Sequence, residues 1–204
     1  MPTRAEIVAF DDSPAPAGAD PWVPGAAPEA GIEITEPDPA WPQRYEELAA
    51  RIRESLGWRA LHFEHVGSTS VPGLPAKPII DIDLTVADPD REQDYVPALA
   101  TAGYTLVIRE PWWYGHRALR ADEPPRSNLH VFGFDSPESV RHRIFRDWLR
   151  GNPDDRDRYA AIKRQAAAAA NARGEHVMEY NARKEQVIRE IYQRAFAAAG
   201  LLQE

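Results

Sequence analysis

A chain of 204 residues, 43% hydrophobic and 27% charged, has the length and composition of one globular domain, or of one domain with a small appendage. It contains no cysteine, which excludes disulfides, thiolate nucleophiles and thiolate metal sites and leaves oxygen and imidazole as ligands for any metal. The net charge of −8 argues against nucleic acid and anionic membranes as partners, since both need surplus Lys and Arg; without a bilayer-length apolar run or a secretory start, a cytoplasmic location is expected.

Residues 1 to about 30 are rich in Pro, Ala, Gly and Asp, and Pro14, Pro16, Pro21, Pro24 and Pro28 are spaced to prevent a helix or a central strand. A mobile extension is expected there, with Trp22 and Val23 either packed on their own domain or serving as a docking peptide. The domain is expected over 31–204, as a core (31–136) and a helical tail (137–204). Gly31 to Thr35 reads as a short alternating strand. Tyr45, Leu48, Ala49, Ile52 and Leu56 fall at helical spacing, opened by Pro42 and closed by Gly57.

Leu61 to Val66 and Ile79 to Val86 read as strands, joined by a loop that Pro72, Gly73, Pro75 and Pro78 keep from being a long helix. Arg91 to Ala102 is helical in pattern and ends at Gly103. Tyr104 to Arg109, Trp113 to Arg120 and Asn128 to Phe134 then read as strands, with a hairpin among them. From Pro137 onward the pattern is helical, over 137–149, 154–172 and 177–199, with stops at Gly151-Asn152-Pro153 and Gly174. The order predicts an α/β (α+β) fold: a mixed β-sheet core followed by a helical segment.

The chemistry concentrates between His65 and Val86. A strand's period of two puts Ile80, Ile82, Leu84 and Val86 on one face and Asp81, Asp83 and Thr85 on the other. Two carboxylates so placed repel unless neutralised, and a hard cation with oxygen ligands is the natural remedy. A bare Asp-x-Asp is equally the polar face of an edge strand. Upstream, Gly67 offers a backbone that a phosphate can approach and Ser68 a hydroxyl that can bond it, with Thr69 and Ser70 following in the same turn.

A hydrophobic residue, Gly-Ser, a spacer, then Asp-hydrophobic-Asp-hydrophobic resembles the signature of the DNA polymerase β-like nucleotidyltransferase superfamily, in which the Gly-Ser pair engages a triphosphate and the two acids bind Mg²⁺. The string from Glu64-His65-Val66-Gly67-Ser68-Thr69-Ser70 through Pro72-Gly73-Leu74-Pro75-Ala76-Lys77-Pro78 to Asp81 closely resembles one branch of it, the GrpB (UPF0157) family. Trp41-Pro42, Gly103-Tyr104, Asn128-Leu129-His130-Val131, Phe145 to Arg150, Tyr159 with Lys163, and Tyr180 with Lys184 also fall where that family's patterns put them, so the resemblance covers roughly 32–200. It implies a nucleotidyltransferase-like fold, one also found fused to dephospho-CoA kinase in some bacteria.

Under that resemblance, Asp81 and Asp83 are the expected ligands of Mg²⁺, or of Mn²⁺ in its place. Gly67, Ser68, Thr69, Ser70, Lys77, Lys163 and Lys184 are the expected phosphate ligands. The superfamily adds a third acid from a later strand; here that strand offers His130, as metal ligand, acceptor-side base or structural residue. Asp135 falls on the opposite face if the strand stays regular. His65 and Arg146 are expected behind the phosphate site or facing it, and Trp112, Trp113, Tyr114, His116 and Arg117 form an aromatic cluster suited to packing or to stacking a base. The expected activity is Mg²⁺-dependent transfer of a nucleoside monophosphate from a nucleoside triphosphate to a small-molecule acceptor; the alternative is a nucleotide-binding or partner-binding module without turnover.

Overall fold

The computed structural model describes residues 1–10 and 15–202. In chain order it contains α1 (Arg4–Val8), α2 (Trp41–Leu56), β1 (His62–Val66), β2 (Ile80–Thr85), α3 (Val96–Thr101), β3 (Thr105–Glu110), β4 (His116–Ala121), β5 (Ser127–Phe132), α4 (Pro137–Gly151), α5 (Pro153–Arg173) and α6 (Val177–Ala198). Among the described residues the strands form one mixed sheet in the order β1-β2-β5-β4-β3. Only β2 and β5 run parallel, with Asp81 opposite Asn128 and Asp83 opposite His130.

Residues paired across a sheet point to the same side. Ile80, Ile82 and Leu84 therefore join Leu119, Leu129 and Val131 on one face, which is sealed by Trp41, Leu48, Ile52 and Leu56 of α2 and Leu99 of α3. The other face carries Asp81, Asp83, Asn128 and His130. Against it stand α4, α5 and α6, tied to the turn after β1 by a second apolar cluster of Val71, Leu74, Leu149, Tyr159 and Ile191. The fold thus has three layers, and its polar cleft lies between the sheet and the C-terminal helices. None of the described helices is long and apolar enough to cross a membrane.

The structure departs from the sequence reading in four places. Residues 1–30 do contain a helix: α1 lies ahead of the Pro-rich run and is closed by a Thr3/Glu6 capping box. Of the two alternatives for Trp22 and Val23 the structure has the first, packing on their own domain along the β3 edge, with Val23 N–H donating to Val107 O at 3.1 Å. Gly31 to Thr35 is no strand but a single bridge from Thr35 to Ala76, because Asn171 of α5 claims both backbone groups of Ile32. The expected helix over 91–102 is a 3₁₀ turn (Glu92–Asp94) followed by α3, since Pro97 has no N–H to continue a helix through it. The expected strand at Trp113 is a turn, where Tyr114 and Gly115 both adopt positive φ, and β4 begins only at His116.

Candidate functional site

β1 ends at Val66, and Gly67 turns the chain with φ 66° and ψ −170°, a region open essentially to glycine. A Cβ built on Gly67 would lie 2.2 Å from Asp81 Oδ2, so the missing side chain is what lets the turn close over the carboxylate. Asp81 Oδ1 accepts a hydrogen bond from Asn128 Nδ2 at 2.9 Å. The backbone of the Gly-Ser turn and one oxygen of Asp81 thus meet at the floor of a cleft of about 580 Å³.

Gly67, Ser68, Thr69, Lys77, Asp81, His130, Arg146, Lys163 and Lys184, scattered over 118 positions of sequence, all line that one cleft. Three expected residues stand elsewhere. Ser70 is buried and spends its hydroxyl on Gly67 O at 2.6 Å, closing the 3₁₀ turn. His65 points to the α2 side, where it stacks on Tyr45 and shares a 3.1 Å hydrogen bond with Thr69 Oγ1; it props the turn from behind and does not face the cleft. Burial, with Arg150 and Arg146 nearby, lowers its pKa to about 4 and keeps it neutral. Asp83 is buried, and both its oxygens lie within 3.1 Å of His142 Nδ1 on α4. Arg146 reaches the rim, but its Nη1 is held by Glu64 at 2.6 Å and His65 O at 2.9 Å.

His142 is a residue the sequence reading missed. Burial opposes its charge, yet Asp83 and Glu138, hydrogen-bonded on its two sides, hold its pKa well above the ordinary histidine value. Asp83 is therefore neutralised by an imidazolium where a metal was expected. Among the described residues no set of three His, Asp or Glu side chains is arranged to hold a metal ion. Asp135, the alternative third acid, is exposed and pairs with the N-terminal amine of Met1. Carboxylate oxygen is the donor type that Mg²⁺ takes, commonly one or two with phosphate oxygens and water completing the shell, and Asp81 is the member of the pair that faces the cleft.

His130 lies at the end of a second chain of polar groups. His116 Nδ1 is 2.7 Å from Glu110 Oε2, and His116 Nε2 is 3.0 Å from His130 Nδ1. The carboxylate can only accept, so His116 donates from Nδ1; when His116 is neutral its Nε2 accepts, His130 then donates from Nδ1, and His130 Nε2 keeps its lone pair. Burial and the neighbouring His116 lower the His130 pKa to about 4, against the pull of Asp83 and Asp81, and the ring stays neutral. In ¹⁵N spectra, His130 Nε2 is expected to show the shift of an unprotonated nitrogen in the wild type. Glu110→Gln is expected to mix the tautomers of both rings. Trp113 packs edge-on against His116 and Phe132, so the aromatic cluster serves packing.

The opposite wall is basic. Of the 24 Lys and Arg residues only Lys77, Lys163 and Lys184 are lysines, and all three line this cleft. Lys163 donates to Pro75 O, and Lys184 Nζ lies 3.9 Å from the Tyr180 ring centroid. Both side chains are buried, and among the described residues neither forms an ion pair with a carboxylate. Burial, then Lys77, lowers the Lys184 pKa to about 7 despite Asp81; burial and Lys184 hold Lys163 well below its ordinary value. Charging two buried amines that repel one another costs the unliganded chain stability, and an anion in the cleft relieves that cost.

The family model described as GrpB protein matches residues 31–194. The chain belongs to the GrpB family. A UPF0157 protein of Halalkalibacterium halodurans is 49% identical over 168 residues, 82% of this chain and 84% of that one. A UPF0157 protein of Streptomyces coelicolor is 41% identical over 174 residues, 84% and 88% of the two chains. A dephospho-CoA kinase of Mycolicibacterium paratuberculosis is 31% identical over 192 residues; the match takes in 82% of this chain but 46% of the kinase. Among solved structures, the conserved protein GrpB from Enterococcus faecalis superposes with a TM-score of 0.71 at 32% identity, over 82% of this chain and 99% of that one. The mixed α/β architecture is thus that of a GrpB protein.

Proposed function

We propose that this GrpB-family chain binds a nucleoside triphosphate in the cleft and transfers its nucleoside monophosphate to a small-molecule acceptor. The observation that carries this reading is the gathering of the chain's three lysines around the Gly67-Ser68 turn and Asp81. Lysines on the α5–α6 wall and backbone N–H groups of the turn are suited to the charged oxygens of a triphosphate. Mg²⁺ held by Asp81 and Asp83, once Asp83 leaves His142, would neutralise the α-phosphate and the departing pyrophosphate.

The remaining steps fall to the side chains. His130 Nε2, with its lone pair toward the cleft, accepts the proton of the acceptor hydroxyl as the new phosphorus–oxygen bond forms. The bond between the α-phosphorus and the bridging oxygen breaks, and pyrophosphate departs along the lysines. The acidic overall charge favours a small acceptor over nucleic acid. The match to proteins named dephospho-CoA kinase supports phosphate chemistry beside such a domain, without assigning that activity here.

The Asp83–His142 pair favours a second reading, a nucleotide-binding module without turnover, because it leaves Asp81 as the one unneutralised acid of the expected pair. The two readings separate in one experiment: the protein is incubated with each ribonucleoside triphosphate, Mg²⁺ and a panel of hydroxyl, phosphate and amine metabolites, and pyrophosphate is measured. Release by the wild type and its loss in Asp81→Asn are expected. Saturable binding with no pyrophosphate from any pair establishes the second reading, and wild-type Mg²⁺-dependent affinity in Asp81→Asn plus Asp83→Asn refutes the metal-assisted one.

A further inference from the structure

The cleft has two chemically distinct ends, and one of them is built by a segment outside the family domain. At the basic end stand Lys77, Lys163 and Lys184. From there a run of rings leads across the wall: Tyr159 beside Lys163, then Phe145 with its centroid 5.4 Å from Tyr159, then Tyr192 at 4.7 Å from Phe145, and finally Phe10 at 5.1 Å from Tyr192. Phe10 lines the cleft, yet it belongs to the N-terminal arm and lies ahead of residues 31–194 that define the family.

The arm has a fixed seat. The buried guanidinium of Arg141 donates from Nη1 to the carbonyls of Glu6, Ile7 and Ala9, at 3.1, 3.3 and 2.8 Å. Ile7 is buried against Tyr192 and Phe196, and Arg4 Nε donates to Leu201 O at 2.6 Å. These contacts hold the backbone that leads into Phe10, and Phe10 is half-buried, edge-on to Tyr192, tilted against Phe196 at 5.9 Å, with the Arg189 and Arg141 guanidinium groups 4.8 and 5.6 Å from its ring centroid. An aromatic ring anchored by its backbone and only partly covered by its neighbours is a ready contact surface for a planar group.

We infer that the N-terminal arm completes the ligand site, with Phe10 as the residue that recognises the planar, apolar end of the ligand, the nucleobase, while the lysines hold its phosphates. This rests on the nucleotide reading and adds to it a specificity-determining residue. A bipartite cleft, basic at one end and aromatic at the other, matches a ligand that is itself bipartite. Inorganic tripolyphosphate shares only the first half.

The test compares the two ligands on the full chain. Affinities for the four ribonucleoside triphosphates and for tripolyphosphate are measured by calorimetry for the wild type, Phe10→Leu, Phe10→Ala and Phe10→Trp, with thermal melts as a folding control. Phe10→Leu keeps apolar packing on Tyr192 and removes the ring face together with its contacts to the Arg189 and Arg141 guanidinium groups, whose effect on the fold the melts read. Loss of about three- to tenfold in affinity for the tightest nucleotide in Phe10→Leu, recovery in Phe10→Trp and unchanged tripolyphosphate affinity are expected. Equal weakening of both ligands, or no change in either, overturns the role of Phe10 while the nucleotide reading stands. A wild type that binds tripolyphosphate as tightly as every nucleotide also overturns it, and one that binds neither overturns the nucleotide reading together with it.

Discussion

Replacing Lys163 and Lys184 together by methionine is expected to lower affinity for a nucleoside triphosphate by about a hundredfold or more, at about 1.5–3 kcal/mol per charge-assisted contact, while making the unliganded chain more stable. The two effects share a cause. Lys163 is buried against Tyr159 and Pro75 O and Lys184 against Tyr159 and Tyr180, and among the described residues neither meets a carboxylate in an ion pair. Methionine fills similar volume without a charge to desolvate. A pair of lysines retained only for packing would lose stability on the same change, so opposite movements of melting temperature and affinity identify a ligand site.

The pH dependence follows with a definite sign. Lys184 has its folded pKa lowered to about 7 against an ordinary value of 10.5, chiefly by burial and then by Lys77. Between those values the unfolded chain binds more protons than the folded one, so the stability of the unliganded protein rises with pH across that window. Lysine-to-methionine variants are expected to show a flatter profile. Ligand affinity moves the other way: below about pH 7 Lys184 is charged before binding, and above it binding a polyanion takes up a proton. Calorimetry from pH 7 to 9 is expected to show affinity falling, by up to about tenfold per unit for each group recharged. A pH-independent affinity would show that Lys184 does not meet the anion.

Gly67→Ala is expected to cost about 1–3 kcal/mol in backbone strain and to lower turnover more than a hundredfold. The strain comes from φ 66° and ψ −170°, and the site defect from the new methyl group, which would stand 2.2 Å from Asp81 Oδ2. Asp81 cannot swing away freely, because Asn128 holds its other oxygen. Gly57 provides the control. It too has positive φ, but a Cβ there meets nothing within 4 Å, so Gly57→Ala is expected to lower the melting temperature and leave nucleotide binding and turnover intact. Parallel losses in both variants would mean that Gly67 acts only through stability.

How far the sequence revealed this protein depends on which interactions decide each feature. The strand at Ile80 to Thr85 was legible because alternation is written into neighbouring residues, and the apolar set Ile80, Ile82 and Leu84 admits only one inward face. Gly31 to Thr35 alternates equally well, yet a tertiary partner, Asn171, takes its hydrogen bonds. Pro97 announces the break that shortens α3, against the apolar period around it. At the site, the Gly-Ser turn and Asp81 could be found because they are local. The grip of His142 on Asp83 could not, since 58 residues lie between them and only the packing of α4 on the sheet joins them. One signal lies in the composition itself: a chain with three lysines among 24 basic residues has ammonium in place of guanidinium at those positions alone.

That scarcity of lysine gives the protein an unusual chemical surface. Amine-directed acylating reagents, which on most proteins scatter over many surface lysines, meet here only the amino terminus and the cleft. Lysine-specific proteolysis falls on Lys163 and Lys184, both buried in the native chain, since the Lys77–Pro78 bond resists cleavage. The folded protein therefore carries its own footprinting assay: the rate at which these amines are modified, or these bonds cut, reports directly on whether the cleft is filled, with almost no background from the rest of the molecule.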